Sequence, residues 1–131
     1  MRGILADNDV EGYVGVLVTI WLSETWRDLW DGLGLSVTSL DALALPRESS
    51  DAVIWRTCQR EKLVLITANR NQDGVDSLEA VSRGENQPDR LPVVTLADPQ
   101  RIMRDRLSAE QLLEKLIAVV DFRGVGRLYV P

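Results

Sequence analysis

Two polar stretches in the chain each follow a short apolar run. Asp7-Asn8-Asp9 comes after Ile4-Leu5-Ala6, and Asn69-Arg70-Asn71-Gln72-Asp73 comes after Leu63-Val64-Leu65-Ile66-Thr67. Brief apolar runs with β-branched members that stop at turn-forming residues read as buried strands. In an open parallel sheet, reactive groups collect beyond the carboxyl ends of the strands. Asp7, Asp9, Asn69 and Asp73 are therefore expected at one edge. Asp51 opens the segment that leads into the second run and is placed near the same edge. All of these are hard oxygen donors, with no imidazole or thiolate among them. That set suits Mg²⁺ or Mn²⁺ and not zinc.

The composition narrows the chemistry further. The 131 residues include no histidine, which excludes Ser-His and Cys-His catalysis and His-ligated metal sites. The single Cys58 has no internal disulfide partner, which fits a reducing, cytoplasmic setting. Hydrophobic residues make up 45% and charged residues 27%, which is ordinary globular composition. The length suits one compact domain over residues 1–131. A net charge of −5 argues against binding nucleic acid by bulk charge and leaves room only for a local basic patch. Residues 13–22 are apolar but interrupted by Gly15 and Thr19, and too short to span a bilayer, so no membrane partner is expected.

Elements that would position the acids can be read in order. Gly3 to Ala6 is a strand. A long helix is expected from about Asp9 to Asp31, capped by Asn8 with Glu11 as a variant capping box. Its broad apolar face is Val14, Leu17, Val18, Trp21, Leu22 and Leu29. Gly32 and Gly34 end it, and Leu35 to Leu40 reads as a second strand. Ser49 or Ser50 can cap a helix to about Arg60. Residues 62–67, KLVLIT, form a continuous apolar run suited to a strand covered on both faces. Asp73 opens a shorter helix through Val81 and Ser82, residues 84–92 are a polar loop, and Val93 to Leu96 is a strand. Gln100 to Arg106 is a helical turn or short helix. Ser108 with Gln111 caps a last helix with Leu112, Leu113, Leu116, Ile117 and Val120 inward, and Arg127 to Val130 is a final strand. Strands alternating with helices imply βαβ units: an α/β fold, three-layer α/β/α, with a mostly parallel sheet of about five strands.

Asp51, Ile54, Trp55 and Cys58 share one helical stripe, and the last three should face the sheet. An acid at the head of a buried stripe points inward, where a lone charge is costly unless paired or metal-bound. Taken singly, Asp9, Asp51 and Asp73 also read as caps or first-turn acids favoured by the helix dipole. Asp7 directly follows the strand and precedes the cap, so it is the acid freest to point over the edge.

With this pattern the chain resembles the PIN-like domain family, metal-dependent nucleases that include toxin ribonucleases. The resemblance is carried by LADNDV, by SSDAVIWRTCQREKLVLIT, by the closing helix SAEQLLEKLIAVV and by GRLYVP, and so extends over nearly the whole chain. It implies a phosphodiester hydrolase, with Asp7 as central metal ligand, Asp51 as second acid, and Asp9, Asn69 and Asp73 assisting. It also implies RNA as substrate and a small antitoxin-like protein as partner. One departure follows the third strand, where Asn69 and Asn71 stand in place of the family's acids. An amide ligates through its carbonyl oxygen but brings no charge, which lowers metal affinity. Asp73 or Asp76 would have to supply that charge.

A second resemblance is to response-regulator receiver domains, through the acidic pair after the first strand and the segments NQDGVDSLEAV and LPVVTLAD. Thr67 or Ala68 stands where a receiver carries its phospho-accepting Asp, so this resemblance implies a pseudo-receiver that only binds partners. Arg56, Arg60, Lys62 and Arg70 could rim the proposed edge, and Arg101, Arg104 and Arg106 form a second cluster; both read more simply as solvated helix faces. Cys58 reads as a small core residue. Val16, Ile20 and Trp30 fall off the first helix's main face, which points to self-association as a homodimer or to packing under a neighbouring element.

Overall fold

The computed structural model describes residues 2–7, 10–46, 48–68, 90–96, 98–118 and 127–130. Its strands are β1 (Gly3–Ala6), β2 (Ser36–Ser39), β3 (Leu63–Thr67), β4 (Val93–Leu96) and β5 (Arg127–Val130). Its helices are α1 (Glu11–Trp21), α2 (Arg27–Leu33), α3 (Asp51–Glu61), α4 (Gln100–Arg104) and α5 (Arg106–Ile117). The expected helix opening at Asp73 and most of the loop 84–92 lie outside the described residues.

The fold is α/β. Strands β2, β1, β3 and β4 lie side by side in that order, all parallel, and β5 pairs in parallel with the outer side of β4. Such an order reverses direction between β1 and β3, the switch point of a doubly wound sheet. Successive strand residues point to opposite faces, and they divide between two cores. Ile4, Ala6, Val64, Ile66, Val94 and Leu96 pack with Val14, Leu17 and Trp21 of α1 and Leu112, Leu113 and Leu116 of α5. Leu5, Leu63, Leu65 and Val93 pack with Ile54, Trp55 and Cys58 of α3. Every residue of β1, β3 and β4 is buried, as the unbroken apolar runs require.

The long first helix expected over residues 9–31 is instead two helices with a break at 22–26. Ser23 is the local cause: its hydroxyl donates to the Ile20 carbonyl at 2.5 Å, an alternative to helical continuation. The guanidinium of Arg106 donates to the same Ser23 oxygen at 3.1 Å, tying the break to the start of α5. The turn folds Trp30 back onto Trp21, ring centroids 4.6 Å apart and stacked, so Trp30 is buried. Val16 and Ile20 pack against the same core. These residues therefore pack under neighbouring elements, one of the two expected alternatives. Leu22 and Leu29, expected inside, are exposed because the break takes them off the stripe.

Both end caps also differ from expectation. Val10, not Asn8, precedes α1, with no side-chain cap, and its N–H donates to the Asp7 carbonyl at 3.0 Å. At α5 the cap is Asp105, which accepts from the Leu107 N–H and the Ser108 hydroxyl, both at 3.0 Å. Ser108 is thus a first-turn donor rather than the cap, and the helix starts two residues before it. At α3 Ser50 is the cap, accepting from the Val53 N–H at 3.3 Å, and Asp51 is the first helical residue.

One buried polar contact had no forerunner in the sequence pattern. The Gln59 carboxamide donates to the Leu91 carbonyl at 2.9 Å and accepts the Leu91 N–H at 3.0 Å, fastening the approach to β4 onto α3. Removing it leaves two buried backbone groups unsatisfied. Gln59→Leu is expected to lower unfolding free energy in urea by about 3 kcal/mol, with helical circular dichroism unchanged.

Candidate functional site at the carboxyl edge of the sheet

Chain direction fixes what stands at each edge. Only Lys62 separates α3 from β3, so α3 ends at the amino edge of the sheet. Its eleven residues rise roughly as far as the five of β3, about 16 Å. The N-terminus of α3, with Asp51, therefore faces the carboxyl edge, where β1 delivers Asp7. The same geometry sends Arg60 and Lys62 to the opposite edge, away from the place of a phosphate rim. There Arg60 and Arg2 both pair with Glu61 at 3.4 Å, and both arginines are exposed. Arg104 pairs with Asp98 at 3.1 Å and Arg106 with Glu110 at 3.0 Å, so two arginines of the second cluster lie on a solvated, paired face.

Asp7 sits at the switch point. Ala6 is in register with Ile66, and the Asp7 N–H continues the ladder to the Ile66 carbonyl at 3.0 Å. This sets the Asp7 side chain beside Thr67, whose hydroxyl donates to Asp7 Oδ2 at 2.8 Å. Thr67 is fully buried and Asp7 half-buried, so the carboxylate is anchored by a buried donor where the two strands end. Such a bond to an ionised acceptor is short and comparatively strong. In the sequence Thr67 reads as the end of a strand and as a residue in the place of a receiver's phospho-accepting Asp; its hydroxyl is the missed partner, and a Thr at the C-terminus of a strand next to the Asp-bearing one is the available signal.

On α3, the residue that feels Asp7 is Cys58. Burial pushes its thiol up from 9.0 to about 12, and the negative charge of Asp7 adds in the same direction. Cys58 is therefore a neutral, inert core thiol beneath the site. Asp51, half-buried, heads the same stripe two turns earlier, about 10 Å along the axis. Among the described residues, no three His, Cys, Asp or Glu side chains gather as a metal-binding group. Asp9, Asn69, Asn71, Asp73 and Asp76, which would complete the expected set, lie outside the described residues.

A cavity of about 300 Å³ opens beside this point, between α1 and β2, with Ala6, Glu11, Val14, Gly15 and Thr38 among its lining residues. Glu11 lines this cavity; Asn8, its expected partner in a capping box, lies outside the described residues.

The chain matches no known protein-family pattern, no curated protein and no solved structure. No helix among the described residues is long and apolar enough to cross a membrane.

The Cys58 thiol is expected to resist iodoacetamide in the native protein at pH 8 and to react once urea unfolds it. In the unfolded chain it ionises above about pH 9, while the folded chain keeps the proton to about pH 12. Unfolding releases that proton within this window, so stability falls as pH rises through it, by up to about 1.4 kcal/mol per pH unit. Measured against Cys58→Ala, which lacks the thiol, the wild-type unfolding free energy should show this extra downward slope above pH 9 and none below it.

Proposed function

We propose that the chain is a divalent-metal-dependent nuclease of PIN-like type, a three-layer α/β/α domain that hydrolyses phosphodiester bonds in RNA. The observation that carries this reading is the Asp7 carboxylate, held by the Thr67 hydroxyl at 2.8 Å at the switch point of a parallel sheet. The two separate cores, one with α1 and α5 and one with α3, support the three-layer arrangement. The donor chemistry suits Mg²⁺ or Mn²⁺: Asp7 and Asp51 offer only carboxylate oxygens at one edge, with Asp9, Asn69 and Asp73 as further oxygen donors.

In this reading Asp7 would be the central ligand, with its carboxylate held by the Thr67 hydroxyl. Asp51 is the second acid, its charge favoured by the N-terminus of α3. Bound there, the ion would supply an activated water and neutralise charge on the scissile phosphate. The buried thiol of Cys58 takes no part, since it stays protonated at physiological pH.

A second reading is favoured by the strand order, which is also that of receiver domains. In it the chain is a catalytically degenerate module that works by binding a protein, such as a small antitoxin-like partner or a second copy.

Purified protein is expected to cleave single-stranded RNA with Mn²⁺ and not with EDTA. Asp7→Asn should abolish cleavage without loss of fold. Millimolar Mn²⁺ should raise the melting temperature of the wild type, by mass action on the native state, and leave that of Asp7→Asn unmoved. Neither cleavage nor a melting shift would overturn the nuclease and leave the partner module.

A further inference from the structure

We propose that the lateral edge of the sheet at β2 pairs with the same strand of a second copy of this chain, joining two sheets across a two-fold axis. Among the described residues β2 is the outermost strand on its side and is bonded only to β1. Its pairing decides which backbone groups are left over. Ser36 is in register with Gly3, and its N–H donates to the Arg2 carbonyl at 3.4 Å. Bonding residues alternate along a parallel strand, so Ser36 and Thr38 turn their N–H and C=O groups to β1. Val37 and Ser39 turn theirs outward. The Ser39 carbonyl accepts the Leu43 N–H at 3.3 Å, whereas the outward groups of Val37 meet no backbone partner among the described residues.

The two lateral edges are not alike. On the far side, β5 opens with Arg127 and is followed in the sequence by Pro131. A charge and a residue without an N–H both discourage strand addition. β2 reads Ser-Val-Thr-Ser, with neither charge nor proline, and its register with β1 runs from Gly3–Ser36 to Ala6–Ser39 without a bulge. An edge this plain is a template for another strand.

A second copy is the occupant that this edge selects, because the strand is complementary to itself. Set antiparallel about a two-fold axis at Val37, each Val37 exchanges both N–H···O bonds with its counterpart. Leu35 then falls opposite Ser39, which has the same outward parity. Ser36 falls opposite Thr38 as a hydroxyl pair, and the two valines form a β-branched pair; both kinds are favourable across strands. Pairing of β2 with the β5 edge of another copy would run on into an open array, whereas β2 on β2 closes.

The flank supplies apolar surface. With the axis perpendicular to the sheet, α1 of both copies lies on the same face. Gly15 and Val18 of α1 border the depression that Val37 also lines. Leu22 stands four residues after Val18, on the same side of the helix, and is 45% exposed; Val37 is 37% exposed. Joining the edges covers Val37 and this side of α1, which a lasting interface needs beyond its backbone bonds. The surface is distinct from Val16, Ile20 and Trp30, which are packed, and from Asp7, so the proposal does not rest on the nuclease reading.

The test combines sedimentation equilibrium with amide hydrogen exchange on the whole chain. At submillimolar concentration the protein should sediment with twice the mass of the single chain and dissociate on dilution. The Val37 amide should exchange slowly in the concentrated sample and fast in the dilute one, while the Thr38 amide, bonded to β1, stays protected in both. Val37→Pro removes only an outward N–H, and Val37→Lys sets two like charges across the axis. Both should sediment as single chains, with the melting temperature of the dilute wild type. A single-chain mass at submillimolar concentration, as expected if this edge takes only a strand of another protein, would overturn the proposal. So would a dimer in which the Val37 amide still exchanges fast, or one that survives Val37→Lys.

Discussion

The constraint on which the rest depends is that β1 lies in parallel between β2 and β3. Parallel neighbours cannot be joined by a tight turn, so each connection must cross over the sheet and bring a helix onto it. The step from β1 to β2 lays α1 over one face, and the step from β2 to β3 passes through α3 on the other core. With both faces covered, β1 and β3 have no wet side. Their side chains must be apolar throughout, and polar groups can appear only where the strands end.

That is why Asp7 and Thr67 meet. Each is the first place along its strand where polarity is permitted, and the register between Ala6 and Ile66 sets them side by side. A carboxylate half-buried there needs donors, and the Thr67 hydroxyl provides one at 2.8 Å. Burial also acts on Cys58: desolvation and, second to it, the charge of Asp7 keep its thiol protonated up to about pH 12. One sheet edge thus holds a carboxylate bonded to Thr67 and, below it, a thiol kept protonated.

Legibility in the sequence followed the strength of each local signal. The run from Leu63 to Thr67 announced a strand buried on both faces, and the pair Ser49 and Ser50, of which Ser50 is the cap, announced the start of α3, because each rests on nearby residues alone. The break after Trp21 did not show, since apolar spacing continues through it; it depends on the Ser23 hydroxyl, on Arg106 from a distant segment and on the Trp21–Trp30 stack. Asp105 outcompeted Ser108 as a cap through a choice between two capping residues three positions apart that spacing alone does not make. Asp7 was singled out as an edge acid, and it directly follows β1. Its partner Thr67 and the cavity-lining place of Glu11 were missed, since both arise from contacts between strands and helices rather than from motifs.

Central to the functional account is that the Asp7 carboxylate anchors a divalent ion at the carboxyl edge. Paramagnetic broadening by substoichiometric Mn²⁺ in a ¹H–¹⁵N correlation spectrum reads this directly, because it reports where the ion sits without requiring a substrate. The account predicts that the amides of Asp7, Thr67 and Asp51 broaden first and that Asp7→Asn removes the effect. Broadening centred at another place on the surface, or none with stoichiometric Mn²⁺, would contradict it.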